Sequence, residues 1–115
     1  MKRSQLFYAL LGWNFPDPED GGPYTELALE SGLRISLNDE AMIKQMDTAW
    51  VKPTGHRMGA AFLCDSPAGV DALYALILEA GFDGHKEPWD AFWGQRYAQV
   101  VDPDGNLVDL FAPLV

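Results

Sequence analysis

Cysteine is nearly absent from this chain: Cys64 is the only one among 115 residues. No intrachain disulfide can form, and a reducing compartment, the cytoplasm, is the expected location. Basic residues are also scarce, with 8 Lys and Arg against 17 Asp and Glu and a net charge of -9. Affinity for nucleic acid or for an anionic membrane depends on Lys and Arg neutralising phosphates, so neither partner is expected. The acidic balance permits a cationic partner and is explained more simply by solubility. No run approaches the roughly 18 apolar residues of a membrane span. The opening MKRSQLFYALLG lacks the full apolar core and cleavage site of a signal peptide. No glycine-rich phosphate loop follows a strand and opens a helix, because Gly21-Gly22 lead into Pro23 and a strand.

Apolar material is plentiful, at 48% hydrophobic and 12% aromatic. That is enough to bury the core of one domain over residues 1–115 without metal or disulfide staples. Leu6, Phe7, Leu10 and Leu11 form one stripe of a helix over residues 3–12, stopped by Gly12. Trp13-Asn14-Phe15 reads as a short strand ended by Pro16, and residues 16–23 as a loop. Strands are expected over Tyr24–Glu30 and Leu33–Leu37, reversed at Ser31-Gly32. Residues 38–55 carry weak periodicity and form a connection, with a helical turn around Glu40–Met46. Arg57–Cys64 reads as a strand made small by Gly59, Ala60 and Ala61. Ser66 caps a helix whose stripe is Val70, Leu73, Tyr74 and Ile77 and whose stop is Gly81. Phe82–Lys86 reads as a short strand and Glu87–Gly94 as an aromatic loop.

The last stretch, QRYAQVVDPDGNLVDLFA over Gln95–Ala112, contains a complete hairpin. Pro103 fixes its φ and Gly105 and Asn106 tolerate positive φ, so the chain reverses at Asp102–Asn106. A slip of one residue would exchange the two faces of each strand. The preferred register groups Asp109 with Tyr97, Gln99, Leu107 and Phe111. It leaves Ala98, Val100, Val108 and Leu110 as an apolar face for a helix.

Taken coarsely, the second half is strand, helix and three strands, and the first half is helix and three strands, as if one unit were repeated. This arrangement, with LFYALLGW near the start, Gly81-Phe82 after the second helix and WGQRYAQVVDPDGNLVDLF at the end, resembles the vicinal oxygen chelate superfamily. Glyoxalase I, bleomycin and fosfomycin resistance proteins and extradiol dioxygenases belong to that group. The resemblance implies an α+β fold of two βαβββ modules that form a cupped mixed β-sheet with helices outside. Module one would span 1–37, the connection 38–55 and module two 56–115, with the opening strand of module one absent.

Enzymes of the superfamily hold a divalent metal in the cup. The resemblance carries the acidic ligand onto Asp109, where the family usually has Glu, and a second ligand onto Gly59, which has no side chain to offer. The third position precedes Ser4, on the absent strand. His56 and His85 remain as replacements, although a surface role explains each more simply. The resemblance therefore implies a metal-free small-molecule binding protein of the bleomycin-resistance type, without catalytic residues or cofactor. Its ligand, aromatic and in some forms cationic, would meet Trp89, Phe92, Trp93, Tyr97, Gln99, Asp109, Phe111 and Trp50. The alternatives are a metal-dependent glyoxalase-like lyase, isomerase or dioxygenase with atypical ligands, and a module acting only in assembly. Cys64 lacks an activating partner, so nucleophilic catalysis is disfavoured.

An absent opening strand would leave its neighbour with unpaired N–H and C=O groups, a template for a second chain. A homodimer is expected, with Trp13 and Trp50 as interface candidates and Trp50 alternatively a lid. Light scattering at micromolar concentration checks this, and a monodisperse monomer would contradict it.

Overall fold

A computed structural model describes residues 1–115, which form two compact units, Met1–Gly55 and His56–Val115. No helix in either is long and apolar enough to cross a membrane.

The first unit opens with α1, Lys2–Leu10. Gly12, at φ +91°, turns the chain out of the helix, and the Trp13 amide donates back to the Tyr8 carbonyl at 2.9 Å. That capping bond corrects one expectation: Trp13–Phe15 is not a strand, because its first amide belongs to the helix end and Pro16 follows at once. β1, Tyr24–Ala28, and β2, Arg34–Asn38, pair antiparallel with Glu26 opposite Ser36. The unit therefore has two strands where three were expected. α2, Glu40–Met46, forms where the helical turn was placed.

The second unit is a complete βαβββ arrangement: β3, Ala60–Leu63; α3, Pro67–Glu79; β4, Asp83–Ala91; β5, Gln95–Val101; and β6, Leu107–Pro113. Its sheet runs β3-β6-β5-β4, parallel between β3 and β6 and antiparallel elsewhere. Ser66 caps α3 by accepting from the Gly69 amide at 3.0 Å, and Pro67 stands in the first turn, where its missing N–H costs nothing. The helix lays Val70 and Ile77 against a face built from Ala98, Val100, Val108 and Leu110, and all six are buried. Arg96 ties helix to sheet, donating to both carboxylate oxygens of Asp71 on α3 at 3.0 and 3.3 Å and to Asp90 on β4 at 3.0 Å. Gly84 matters for the same contact. A Cβ there would lie 2.2 Å from the Tyr74 hydroxyl oxygen, so the phenol packs where a larger residue would exclude it.

The largest shifts of boundary from the sequence reading are in β3 and β4. β3 begins at Ala60 rather than Arg57. β4 continues beyond the short strand expected at Phe82–Lys86 to Ala91, through most of what reads as a loop. Pro88 is tolerated because β4 is an edge strand, with pairing shifts between Gly84 and Lys86 and between Lys86 and Trp89.

The contrast between neighbours on α3 provides a test of the packing. Ile77 is fully buried, whereas Leu78 is 39% exposed. Ile77→Ala should destabilise the second unit by about 2–5 kcal/mol, and Leu78→Ala by under about 1 kcal/mol. Urea unfolding followed by tryptophan fluorescence measures both.

Candidate functional site

The face of the second sheet opposite α3 is organised in cross-strand rows. One row runs Ala61, Asp109, Gln99 and Lys86; the next runs Leu63, Phe111, Tyr97 and Trp89. The pairing of Gln99 with Asp109 selects the register that groups polar residues away from the helix. A carboxylate row thus lies beside an aromatic row, on strands whose opposite faces are locked into the core.

Asp109 is half-buried and held at both oxygens. The Tyr97 hydroxyl donates to Oδ2 at 2.5 Å and Gln99 Nε2 donates to Oδ1 at 3.0 Å. Each oxygen keeps a second lone pair for an incoming donor. The phenol of Tyr97 is pushed up to about 12, first by burial, then by its hydrogen bond to Asp109 and the charge of that carboxylate. Aromatic rings continue from Tyr97: Trp89 lies 5.6 Å away edge-on, Trp93 5.2 Å away edge-on, and Phe111 6.3 Å away in a stacked orientation. Trp93 is fixed at the β4–β5 turn by donating its indole N–H to Gln95 at 2.8 Å.

Beside Asp109 lies a cavity of about 220 Å³, lined by His56, Arg57, Met58, Gly59, Gln99, Leu107 and Asp109. The lack of a side chain at Gly59 leaves this space open on the β3 side. A recess of about 530 Å³ in the first unit is lined by Lys2, Gln5, Asp17, Asp39 and neighbouring backbone, and contains no aromatic ring.

Six of the expected ligand-binding residues therefore converge on the second sheet: Trp89, Trp93, Tyr97, Gln99, Asp109 and Phe111. Phe92 stands at the turn, 97% exposed, and reaches the group only through Trp93, at 4.9 Å between centroids. Trp50 belongs to the first unit, where Lys44 Nζ lies 5.8 Å from its ring centroid. Sequence reasoning missed Arg57 and Lys86. Continuing the alternation of Ala61 and Gly59 would have reached Arg57, but the irregular pairing of β4 breaks the alternation that leads to Lys86. Cys64 continues the β3–β6 pairing through its amide to the Phe111 carbonyl at 2.8 Å, and burial pushes its thiol up, which weakens it as a nucleophile.

The donor set does not fit a metal centre. No three His, Cys, Asp or Glu side chains come together, and Gly59 supplies no ligand. His56 lines the cavity as one further nitrogen, and His85, on β4, does not line it.

Asp109→Asn should lower the Tyr97 pKa from about 12 towards its ordinary 10.0 without reaching it, since burial, the largest cause, remains. Tyrosinate absorbance titration, referenced to Tyr97→Phe, measures the change. The sign for stability follows: the folded state favours the neutral phenol, so this contribution is intact below pH 10.0 and is lost as pH rises through about 12.

Comparison with known proteins gives the same assignment by sequence and by fold. The model of the Glyoxalase/Bleomycin resistance protein/Dioxygenase superfamily matches residues 1–110. No curated protein matches the chain. Among solved structures, a glyoxalase-related enzyme from Fulvimarina pelagi superposes with a TM-score of 0.79 at 16% identity, covering 97% of this chain and 79% of that one. A hypothetical protein from S. aureus gives 0.77 at 18% identity, covering 97% and 84%. A glyoxalase/bleomycin resistance protein/dioxygenase family enzyme from Burkholderia phytofirmans gives 0.75 at 21% identity, covering 95% and 87%. At these identities the structures establish a shared fold, and the sequence match over 110 residues establishes the family: the chain belongs to the glyoxalase/bleomycin resistance protein/dioxygenase superfamily.

Proposed function

We propose that this protein is a metal-independent binder of a planar small molecule, which it holds on the aromatic row of the second sheet with Asp109 as the polar anchor. Membership of the superfamily does not by itself choose between binding and catalysis, because this fold carries both. The observation that supports binding is the state of Asp109. Its two oxygens are oriented by Tyr97 and Gln99 and each retains a lone pair, an arrangement suited to accepting N–H donors from a ligand. Trp89, Tyr97 and Phe111 supply flat apolar surface next to that acceptor, and the space beside Gly59 admits a group the size of a side chain.

No step of bond making is needed for this role. Cys64 is disfavoured by its raised thiol pKa, and the Tyr97 phenol, at about 12, remains protonated at neutral pH. A metal-dependent lyase or dioxygenase would have to work with His56 and Asp109 as its cavity-lining ligands.

Titration with 2-naphthylmethylamine, a flat aromatic amine, tests the reading through quenching of tryptophan fluorescence. Binding should weaken by about tenfold in Asp109→Asn, the loss of one charge-assisted contact. Stoichiometric zinc, iron, nickel or manganese in protein purified without chelator, lost in Asp109→Ala, would contradict it.

A further inference from the structure

We infer that the ligand of this site carries an anionic group as well as a donor for Asp109: a planar aromatic zwitterion rather than a simple cation, with Lys86 as the residue that receives the anion. This rests on the binding role proposed above and specifies the ligand class.

The starting point is the distribution of positive charge. The second unit has three Lys or Arg residues, Arg57, Lys86 and Arg96. Arg96 faces α3 and is engaged by Asp71 and Asp90. Neither Arg57 nor Lys86 is ion-paired, although nine acidic residues share their unit. Both border the Asp109 face, Arg57 in the cavity before β3 and Lys86 on β4. In an acidic unit, the two cations without a carboxylate partner thus stand on the proposed binding surface.

The position of Lys86 then decides the ligand's charge. Its Nζ lies 4.8 Å from the Trp89 ring centroid, so a resident ammonium already lies over one ring of the aromatic row. A cationic ring must displace that ammonium, gaining a contact like the one it breaks and leaving two like charges near each other. A ring bearing a carboxylate gains an ion pair from the same displacement, because the flexible stem of Lys86 can swing to meet it. Lys86 is paired across the sheet with Gln99, and Gln99 with Asp109. The backbones of Lys86 and Asp109 therefore lie two strands apart, about 10 Å, and the flexible Lys86 stem lets its ammonium meet an anion at the far end of a two-ring aromatic whose donor faces Asp109.

The test compares three probes on one ring system: 6-(aminomethyl)-2-naphthoate, 2-naphthylmethylamine and 2-naphthoate, titrated by calorimetry into the intact chain. The zwitterion should bind about tenfold or more tightly than either single-charge analogue. Lys86→Met, at an exposed position, should abolish its advantage over the amine while leaving the amine's own affinity unchanged or improved. If the amine binds as tightly as the zwitterion and Lys86→Met affects both equally, the inference is overturned and the binding role stands. If none of the three binds, the binding role falls and the inference with it.

Discussion

The cross-strand pairing of Gln99 with Asp109 is the constraint on which the site depends. Because strand side chains alternate, this one pairing sends Ala98, Val100, Val108 and Leu110 to the helix and Tyr97, Asp109 and Phe111 to the open face. The turn enforces it. Asp102 is buried and its carboxylate accepts from the amides of Asp104 and Asn106 and from the Asn106 side chain, at 2.8–2.9 Å. Gly105, at φ +88°, completes the reversal. A one-residue slip of β6 would bury the Asp109 carboxylate under α3 and expose Val108 and Leu110, so hydrophobic packing and site geometry favour the same register.

That coupling explains how an open polar and aromatic face can be maintained on a sheet of only four strands. The face toward α3 does the folding, through Val70, Ile77 and the Arg96 ion pairs, while the open face retains side chains that packing alone would not favour. A half-buried carboxylate is tolerated there because Tyr97 and Gln99 satisfy it. Raising the Tyr97 phenol to about 12 has the complementary effect of extending its role as donor to Asp109 into alkaline pH.

The hairpin was legible in the sequence because its signals agree: Pro-Asp-Gly-Asn punctuation, alternation in both strands, and a polarity argument that selects one register. α3 was equally clear, with Ser66, Pro67 and Gly81 marking its ends. β4 was not, because Pro88 and the cluster of Trp89, Phe92 and Trp93 imitate a loop, and the irregular edge pairing that accommodates them arises only in the sheet. Trp13–Phe15 failed for a related reason. Its composition suits a strand, but the helix end claims its first amide. Of the candidate site, the grouping of Tyr97, Gln99, Asp109 and Phe111 was legible from the alternation of the regular strands, whereas Lys86 was hidden by the register shifts of β4 and Arg57 by the coil before β3.

The measurement that tests this account most directly is a crystal structure of the protein as purified, inspected for density beside Asp109. Flat organic density against Trp89 and Tyr97, with a donor facing Asp109 and no ion, is the predicted result. A strong spherical peak with three or more protein ligands at about 2.0–2.2 Å would contradict it and return the site to metal chemistry.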